Sequence, residues 1–296
     1  MSTNKPRSFS VIGCGRVGIC LAVFLRSRGF APVAFFSRSR SSADHAAKMA
    51  GKGRAVAHAL SAVRGTDIVF LTPPDTEIQP LCNALADGKG FSPGTTVFHL
   101  SGALSSDILA SAGAQGAEIG SIHPLQAFAP YEAGQANPFE GINMSVEGSP
   151  GAQALGKEIV KVLGAQAFTI PTRSKTLYHA SAVVASNYLV TLEHFALELL
   201  METGLNEEKA FDILEPLIRG TLANIKARGS AAALTGPVAR GDHEIVSAHL
   251  KDLDEIRPEF SALYRLLGQH TLDIAGNQGL EGTAAEKLSR LFTEGH

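Results

Sequence analysis

From Phe9 to about Pro171, short apolar runs alternate with longer stretches in which apolar positions recur at helical spacing. Continuous runs such as Ile68-Val69-Phe70-Leu71 suit strands covered on both faces, as in a parallel sheet. The predicted strands are Phe9 to Ile12, Val33 to Phe36, Asp67 to Leu71, Thr96 to Leu100, Glu118 to Ile122, Gly141 to Val146 and Ala167 to Ile170. Helical patterns fall between the earlier ones, at Val17 to Arg28, Ser42 to Met49, Glu77 to Ala86 and Ser105 to Ala110. Strand and helix in alternation predict right-handed βαβ crossovers and a doubly wound, mostly parallel sheet of the α/β class.

After Pro171 the strand-like runs stop and long helical patterns take over, so a smaller all-α domain is expected over 173–296, following an α/β domain over 1–172. Ser174 to Thr203 reads as one helix closed by Gly204, where a left-handed terminal residue is wanted. Asn206 is the expected cap of the next helix, with Glu207 and Glu208 in its first turn and Pro216 as a point of bending. Further helices are expected at His243 to Leu253, Pro258 to Ala275 and Ala284 to Phe292.

A length of 296 residues suits two domains, and 45% apolar against 18% charged residues is the composition of a folded chain. Lys and Arg (26) nearly balance Asp and Glu (28), so no overall field draws in nucleic acid or an anionic membrane. A small-molecule substrate is the expected partner. Cys14, Cys20 and Cys82 lack paired spacing, which predicts reduced thiols and neither a disulfide framework nor a metal site. The polar lead from Met1 to Arg7 has no room for a signal peptide, and no run approaches membrane-spanning length, so a cytoplasmic location is expected.

The strongest local signal is Gly13-Cys14-Gly15-Arg16-Val17-Gly18, a G-x-G-x-x-G that follows a strand and opens a helix. Gly13 permits the tight turn, Gly15 lets a pyrophosphate approach the backbone, and Gly18 allows close helix–strand packing. Unpaired N–H groups at the helix start then form an anion site. A glycine turn with no ligand is the plainer reading, and the matching flanks argue against it. Cys14 reads as a small packing residue. The α/β domain is therefore read as a Rossmann domain. An NAD-binding domain usually carries an acid about 20 residues on, but here Ser37-Arg38-Ser39-Arg40 ends the second strand. A guanidinium beside hydroxyls suits a 2′-phosphate, which predicts NADP as the cofactor, with solvated loop arginines as the alternative.

In open α/β sheets ligands lie beyond the carboxyl ends of strands. Thr72-Pro73-Pro74-Asp75 would give a stiff turn there, beside the nicotinamide half of a cofactor or as a mere connection. Ser101-Gly102 offers a hydroxyl and close backbone access, with helix capping as the competing role of Ser101 and the more natural role of Ser105. His123-Pro124 would place an imidazole over the same crevice. With an ordinary pKa near 6.5, His123 is a proton donor or carboxylate ligand, or a histidine that only holds a loop. Lys175, His179 and Ser186 fall on one helix face, with Asn187 somewhat round it. Val183, Val184, Leu189 and Val190 around them suggest a packed helix whose polar stripe borders a cleft. Lys175 there is suited to polarise or protonate a carbonyl oxygen and Asn187 to hold substrate, against a surface lysine and a satisfied histidine.

Several segments together carry a resemblance: Gly13 to Gly18, His99 to Leu104, Ser121 to Leu125, Tyr178-His179-Ala180 with Ala185 to Tyr188, and Thr235 to Asp242. They resemble a bacterial Rossmann-like oxidoreductase family whose helical C-terminal domain is of unknown function. That family is similar to the 6-phosphogluconate dehydrogenase, pyrroline-5-carboxylate reductase and ketopantoate reductase superfamily. The resemblance implies NADPH as hydride donor, a substrate cleft between the domains and a homodimer formed through the helical domain. It also implies a loop from Gly236 to Asp242 near the cleft, with Arg240 as an anion contact or Asp242 as a helix cap. Ketopantoate reductases space Lys and Asn regularly by four residues, whereas here Lys175 is followed by His179 and only later by Asn187. The expectation is an NADPH-dependent oxidoreductase reducing a small oxo acid, ketopantoate among the candidates. An imine reductase of the pyrroline-5-carboxylate reductase type and a non-catalytic NADP-sensing protein are the alternatives.

Overall fold

The computed structural model describes residues 6–293, so the first five residues of the polar lead Met1 to Arg7 lie outside the described residues. By their contacts these divide into two compact units, one ending at Asn187 and one starting at Tyr188. The sequence grammar changes at Pro171, some sixteen residues earlier in the chain. The difference has a packing reason: the helical turns just after Pro171 are anchored on the sheet, through Thr172 and Lys175.

The first unit is built on β1 (Ser8–Ile12), β2 (Ala31–Phe36), β3 (Arg54–Ala55), β4 (Ile68–Leu71), β5 (Thr96–His99), β6 (Glu118–Pro124), β7 (Asn143–Gly148) and β8 (Gln166–Thr169). They form one sheet in the order β3-β2-β1-β4-β5-β6-β7-β8, parallel except where β6 meets β7. Chain order reverses direction between β1 and β4, and such a switch point opens a crevice at the carboxyl ends of the two strands. The helices are α1 (Arg16–Ser27), α2 (Arg40–Ala50), α3 (Ala59–Val63), α4 (Asp75–Asp87), α5 (Ala110–Gly113), α6 (Pro150–Val162) and α7 (Lys175–Val183).

Alternation along β4 shows how both faces are filled. Ile68 and Phe70 enter one apolar cluster, with Phe9, Phe98 and the inner faces of α1, α2 and α6. Val69 and Leu71 enter the other, with Val97, Ile78 and Leu109. The period-two geometry of a strand sends neighbours to opposite faces, so a continuous apolar run is what a doubly covered strand requires.

Two helices and one strand were not legible. Strand β3 has two residues, too few for a pattern. Helix α3 has five, also too few. Helix α6 turns Ala152, Gly156, Ile159 and Val160 inward, and its small residues carry little hydrophobic signal. Gly156 is small because a Cβ there would lie 2.8 Å from Val146 Cγ1. The expected helix at Ser105 to Ala110 is a 3-10 turn over Ser106–Leu109 leading into α5. Ser105 does not cap it, because its hydroxyl donates to Asp107.

The second unit comprises α8 (Leu189–Met201), α9 (Glu207–Arg228), α10 (Ser230–Ala233), α11 (Pro237–Arg240), α12 (His243–Ile256), α13 (Pro258–Gly276) and α14 (Gly282–Thr293). Its core gathers Val246, Leu250, Leu288 and Phe292. As expected, Gly204 takes a positive φ of 91° and the Asn206 side chain caps α9 by accepting from the Lys209 amide. Helix α9 continues through Pro216. Asp242 caps nothing; its carboxylate pairs with Arg240 at 2.8 Å, which neutralises the guanidinium proposed as an anion contact. Among the described residues no helix is long and apolar enough to cross a membrane.

Phe70 has its ring between those of Phe9 and Phe98, with centroids 6.1 and 5.9 Å away, and is fully buried. Phe70→Ala is expected to lower the unfolding free energy by about 3–5 kcal/mol, read from chemical denaturation midpoints at unchanged slope.

Candidate functional site

β1 ends at Ile12 and α1 begins at Arg16, so three residues must reverse the chain. Gly13 takes φ +103°, and a Cβ on it would lie 2.4 Å from the Pro73 nitrogen and the Thr72 carbonyl carbon. The turn is locked to its neighbours: Gly13 N–H donates to Phe36 O at 2.8 Å, Thr72 N–H to Ile12 O at 2.7 Å, and the Thr72 hydroxyl to Gly13 O. Gly18 packs so closely that a Cβ would meet Gly13 O at 2.5 Å. Gly15 is the opposite case. Nothing lies within 4 Å of where its Cβ would be, and no side chain caps α1 behind it. The first amides of α1 are thus left for a ligand, where the helix dipole favours an anion.

This turn opens on a crevice of about 290 Å³ lined by Gly13, Cys14, Gly15, Ser37, Arg38, Thr72, Pro73 and Pro74, with Ser42 and Glu77. Three other predicted contacts serve other ends. Ser39 caps α2 by accepting from the Ser42 amide, Arg16 donates to Phe128 O at 3.3 Å, and Val17 is half-buried outside the lining. Burial pushes the Cys14 thiol up to about 12, which leaves it a packing group. The crevice residues suit a dinucleotide: an open glycine face, uncapped amides, and a guanidinium where β2 gives no acid.

From Pro74 a line of contacts leads away from the crevice. Asp75, the first residue of α4, accepts from Ser101 Oγ at 2.7 Å, and the same Ser101 oxygen accepts from the amides of Ala103 and Leu104. Gly102 then lies beneath two imidazoles: a Cβ there would be 2.6 Å from His179 Cδ2 and 2.7 Å from His123 Nε2.

Lys175 begins α7 but is not on the surface. It is 1% exposed, and its Nζ donates to Ser121 Oγ at 2.7 Å. Burial pulls its pKa down to about 8, opposed by the carboxylates of Glu147 and Asp75. Glu147 is itself buried and accepts from the Ser106 amide (2.8 Å), the Ser106 hydroxyl (2.7 Å) and the Thr172 hydroxyl (3.0 Å). The antiparallel register explains its position, since Ser121 on β6 faces Glu147 on β7 and His123 faces Ser145.

His123 lines a second cavity, of about 470 Å³, with Gln126, His179, Ser186 and Asn187. The expected stripe therefore divides. His179, Ser186 and Asn187 border this cavity across a π-helical turn, Val184–Tyr188, whereas Lys175 is buried against Ser121 and lines neither space. The surrounding apolar residues are not packed as expected either, for Val184 and Val190 are 58% and 68% exposed in the single chain. The ordinary histidine pKa does not survive folding: burial first, then the charges of Lys175 and His179, lower His123 to about 4. At pH 7 the ring is neutral, which removes it as a cationic ligand for a carboxylate. Its Nδ1 lies 2.8 Å from the Tyr178 hydroxyl, and Tyr178 packs edge-on against Phe168 and beneath Lys175 Nζ.

Sequence reasoning passed over Asp75, Ser121, Glu147 and Tyr178 as site residues. One signal was there: Ser145 and Glu147 put polar groups at period two in an otherwise buried strand, where a buried charge needs a partner.

Comparison with known proteins agrees with this architecture. Residues 3–124 match the model of a Rossmann-like domain, and residues 142–271 match that of a domain of unknown function, DUF2520. A crystal structure of a Thermotoga maritima protein is 26% identical, covers 92% of this chain and 100% of its own, and has a TM-score of 0.72. A provisionally assigned NADP oxidoreductase of Bacteroides fragilis is 24% identical over 89% of this chain and 96% of its own, with a TM-score of 0.70. An imine reductase from a Pseudomonas species is 18% identical over 98% of this chain and 100% of its own, with a TM-score of 0.63. The last two likenesses speak to the fold. No curated protein sequence matches the chain. The two models are matched in tandem, one through the parallel strands and the other from β7 into α13, so a Rossmann-like domain is followed in this chain by a DUF2520 domain.

Proposed function

We propose that the chain is an NADP-dependent oxidoreductase that reduces a small oxo acid, ketopantoate being the first to test. The observation that carries this reading is the unbroken line of contacts from the glycine-turn crevice, through Asp75, Ser101 and Gly102, to His123 at the second cavity. A dinucleotide held by the amides of α1 and by Gly13, Gly15, Ser37 and Arg38 would supply hydride. The chain's own part is electrostatic. A carbonyl that receives hydride becomes an alkoxide, and the Lys175 ammonium gives the carboxyl edge of the sheet a fixed positive charge in a water-poor setting. The Bacteroides neighbour, named for NADP, supports the cofactor assignment.

A second reading, an imine reductase of the pyrroline-5-carboxylate reductase type, draws on the cavity lining. His123, Gln126, His179, Ser186 and Asn187 are its polar residues, side chains that can hydrogen-bond the nitrogen of a cyclic imine. The Pseudomonas neighbour points the same way. Turnover of NADPH with ketopantoate and related oxo acids, set beside a panel of cyclic imines, separates the two. Unconsumed NADPH with every oxo acid would defeat the first reading.

Arg38→Ala is expected to weaken NADPH binding roughly 10–100-fold, the loss of a charge-assisted contact of about 1.5–3 kcal/mol, while NADH binding stays put. Fluorescence titration of both nucleotides decides it, and equal affinities in the unaltered protein overturn the NADP assignment.

With the Lys175 pKa near 8, the ammonium form prevails below that pH and is lost above it. Reduction is expected to run level from pH 6 to 7.5 and to fall as pH rises through 8. Lys175→Met should abolish that limb and lower kcat by about 10²–10⁴, leaving NADPH affinity within about twofold.

We also propose that a second copy of the chain covers the exposed apolar side chains of the helical unit, among them Val190, Leu217, Leu222 and Leu266. Sedimentation equilibrium at micromolar concentration should return twice the chain mass, and a monomer there would refute this.

A further inference from the structure

We propose that His123 gives a proton to the substrate oxygen from Nε2, and that Tyr178, bonded behind it at Nδ1, is the positioning residue that holds the ring in the tautomer this needs. The catalytic half rests on the reductase reading above; the tautomer half concerns the free protein.

Two groups share two protons among three places. The imidazole is neutral around pH 7 and so carries one N–H. The phenol keeps its own, because burial raises the Tyr178 pKa further. The 2.8 Å contact between Nδ1 and the hydroxyl admits either direction: the phenol donates and Nε2 bears the ring proton, or Nδ1–H donates and Nε2 is bare. The surroundings select the first. Lys175 Nζ lies 5.7 Å from the centre of the Tyr178 ring, and a cation there draws electron density from the phenol and strengthens its O–H as a donor. The same cation opposes any build-up of positive charge on the imidazole. His179 is the other titratable group at the ring, with centroids 6.3 Å apart, and it too disfavours imidazolium. Ser145, across the strand from His123, opposes the rise of the Tyr178 pKa, and a hydroxyl that eases the phenol towards phenolate makes its O–H the stronger donor.

The opposite edge of the ring is clear for chemistry. His123 lines the second cavity, and its Nε2 lies over Gly102, where a Cβ would stand only 2.7 Å from it. When hydride has added to the carbonyl carbon, the resulting alkoxide takes the Nε2 proton. The N–H bond breaks as the O–H bond forms, and Nδ1 takes the phenol proton in the same event. The ring stays neutral, its proton now on Nδ1. Tyr178 is left as a phenolate facing the Lys175 charge. It recovers the proton from Nδ1 as water supplies one to Nε2, so a single proton from solvent balances each turnover.

The test starts on the ligand-free full chain. Long-range ¹H–¹⁵N correlation at pH 7, with His123 assigned from the signals lost in His123→Gln, should show an unprotonated Nδ1 and a protonated Nε2. Tyr178→Phe should shift that ring towards a mixed tautomer. A protonated Nδ1 in the unaltered protein, or a tautomer indifferent to Tyr178→Phe, overturns the proposal. With any carbonyl substrate the unaltered protein turns over, Tyr178→Phe should lower kcat 10–100-fold, leave KM and NADPH affinity within about twofold, and keep the alkaline limb set by Lys175. An unchanged kcat also overturns it. If no oxo acid or imine is turned over, the functional reading fails while the spectra still decide the tautomer.

Discussion

An ammonium group held out of water beneath the carboxyl edge of the sheet is the constraint around which this site is arranged. Burying a charge is costly unless it is paired and hydrogen-bonded, and Lys175 meets that demand through Ser121, with Glu147 and Asp75 supplying negative charge nearby. Glu147 in turn is buried and must be satisfied, which fixes three separate pieces of backbone. Its oxygens collect the Ser106 amide and hydroxyl from the turn after β5 and the Thr172 hydroxyl from the segment entering α7. One carboxylate thereby ties β7, that turn and the start of α7 together. The same positive charge helps to keep the nearby imidazoles of His99 and His123 neutral, with pKa values lowered to about 3 and about 4.

The glycine turn depends on a different constraint, the closeness of two strand ends. Because β1 and β4 are neighbours at the switch point, the Thr72-Pro73 backbone presses on Gly13, and the Thr72 hydroxyl stands where a larger residue at 18 would go. Gly13 and Gly18 are small because protein fills the space beside them. Gly15 is small with open space beside it. A packed neighbour explains the first two, and the third leaves the backbone at the start of α1 open to an approaching ligand.

That contrast also shows how far the sequence could be read. The glycine motif and the run Ile68 to Leu71 announced the turn and a doubly covered strand, because each is a local pattern with a local cause. Lys175 and His123 were visible as chemistry, yet their surroundings were not. The lysine was expected on the stripe that borders a cleft, and it is instead buried against Ser121, since the residues that receive it come from β6 and β7, fifty-four and twenty-eight positions earlier. Pairing between β6 and β7 is antiparallel, and nothing in a single strand's composition declares its direction. Helix α6 escaped for a simpler reason, that Ala152 and Gly156 face the sheet where large apolar residues would have marked a buried side.

The division of the expected polar stripe matters for the chemistry proposed. Had Lys175 lined the cavity with His179 and Asn187, its charge would meet the ground-state substrate and would favour any anion that entered. Buried behind Ser121, it would act through distance and through Tyr178, with an interaction that grows as negative charge develops on the reacting oxygen. The cavity itself offers amide and hydroxyl donors in Gln126, Asn187 and Ser186, and such groups bind a carbonyl without holding its product tightly. Such a separation, with charge behind and dipoles in front, spends electrostatic stabilisation on the transition state more than on the bound substrate. The proposed chemistry therefore assigns rate and substrate affinity to different residues: Lys175, Tyr178 and His123 on one side, Gln126, Ser186 and Asn187 on the other.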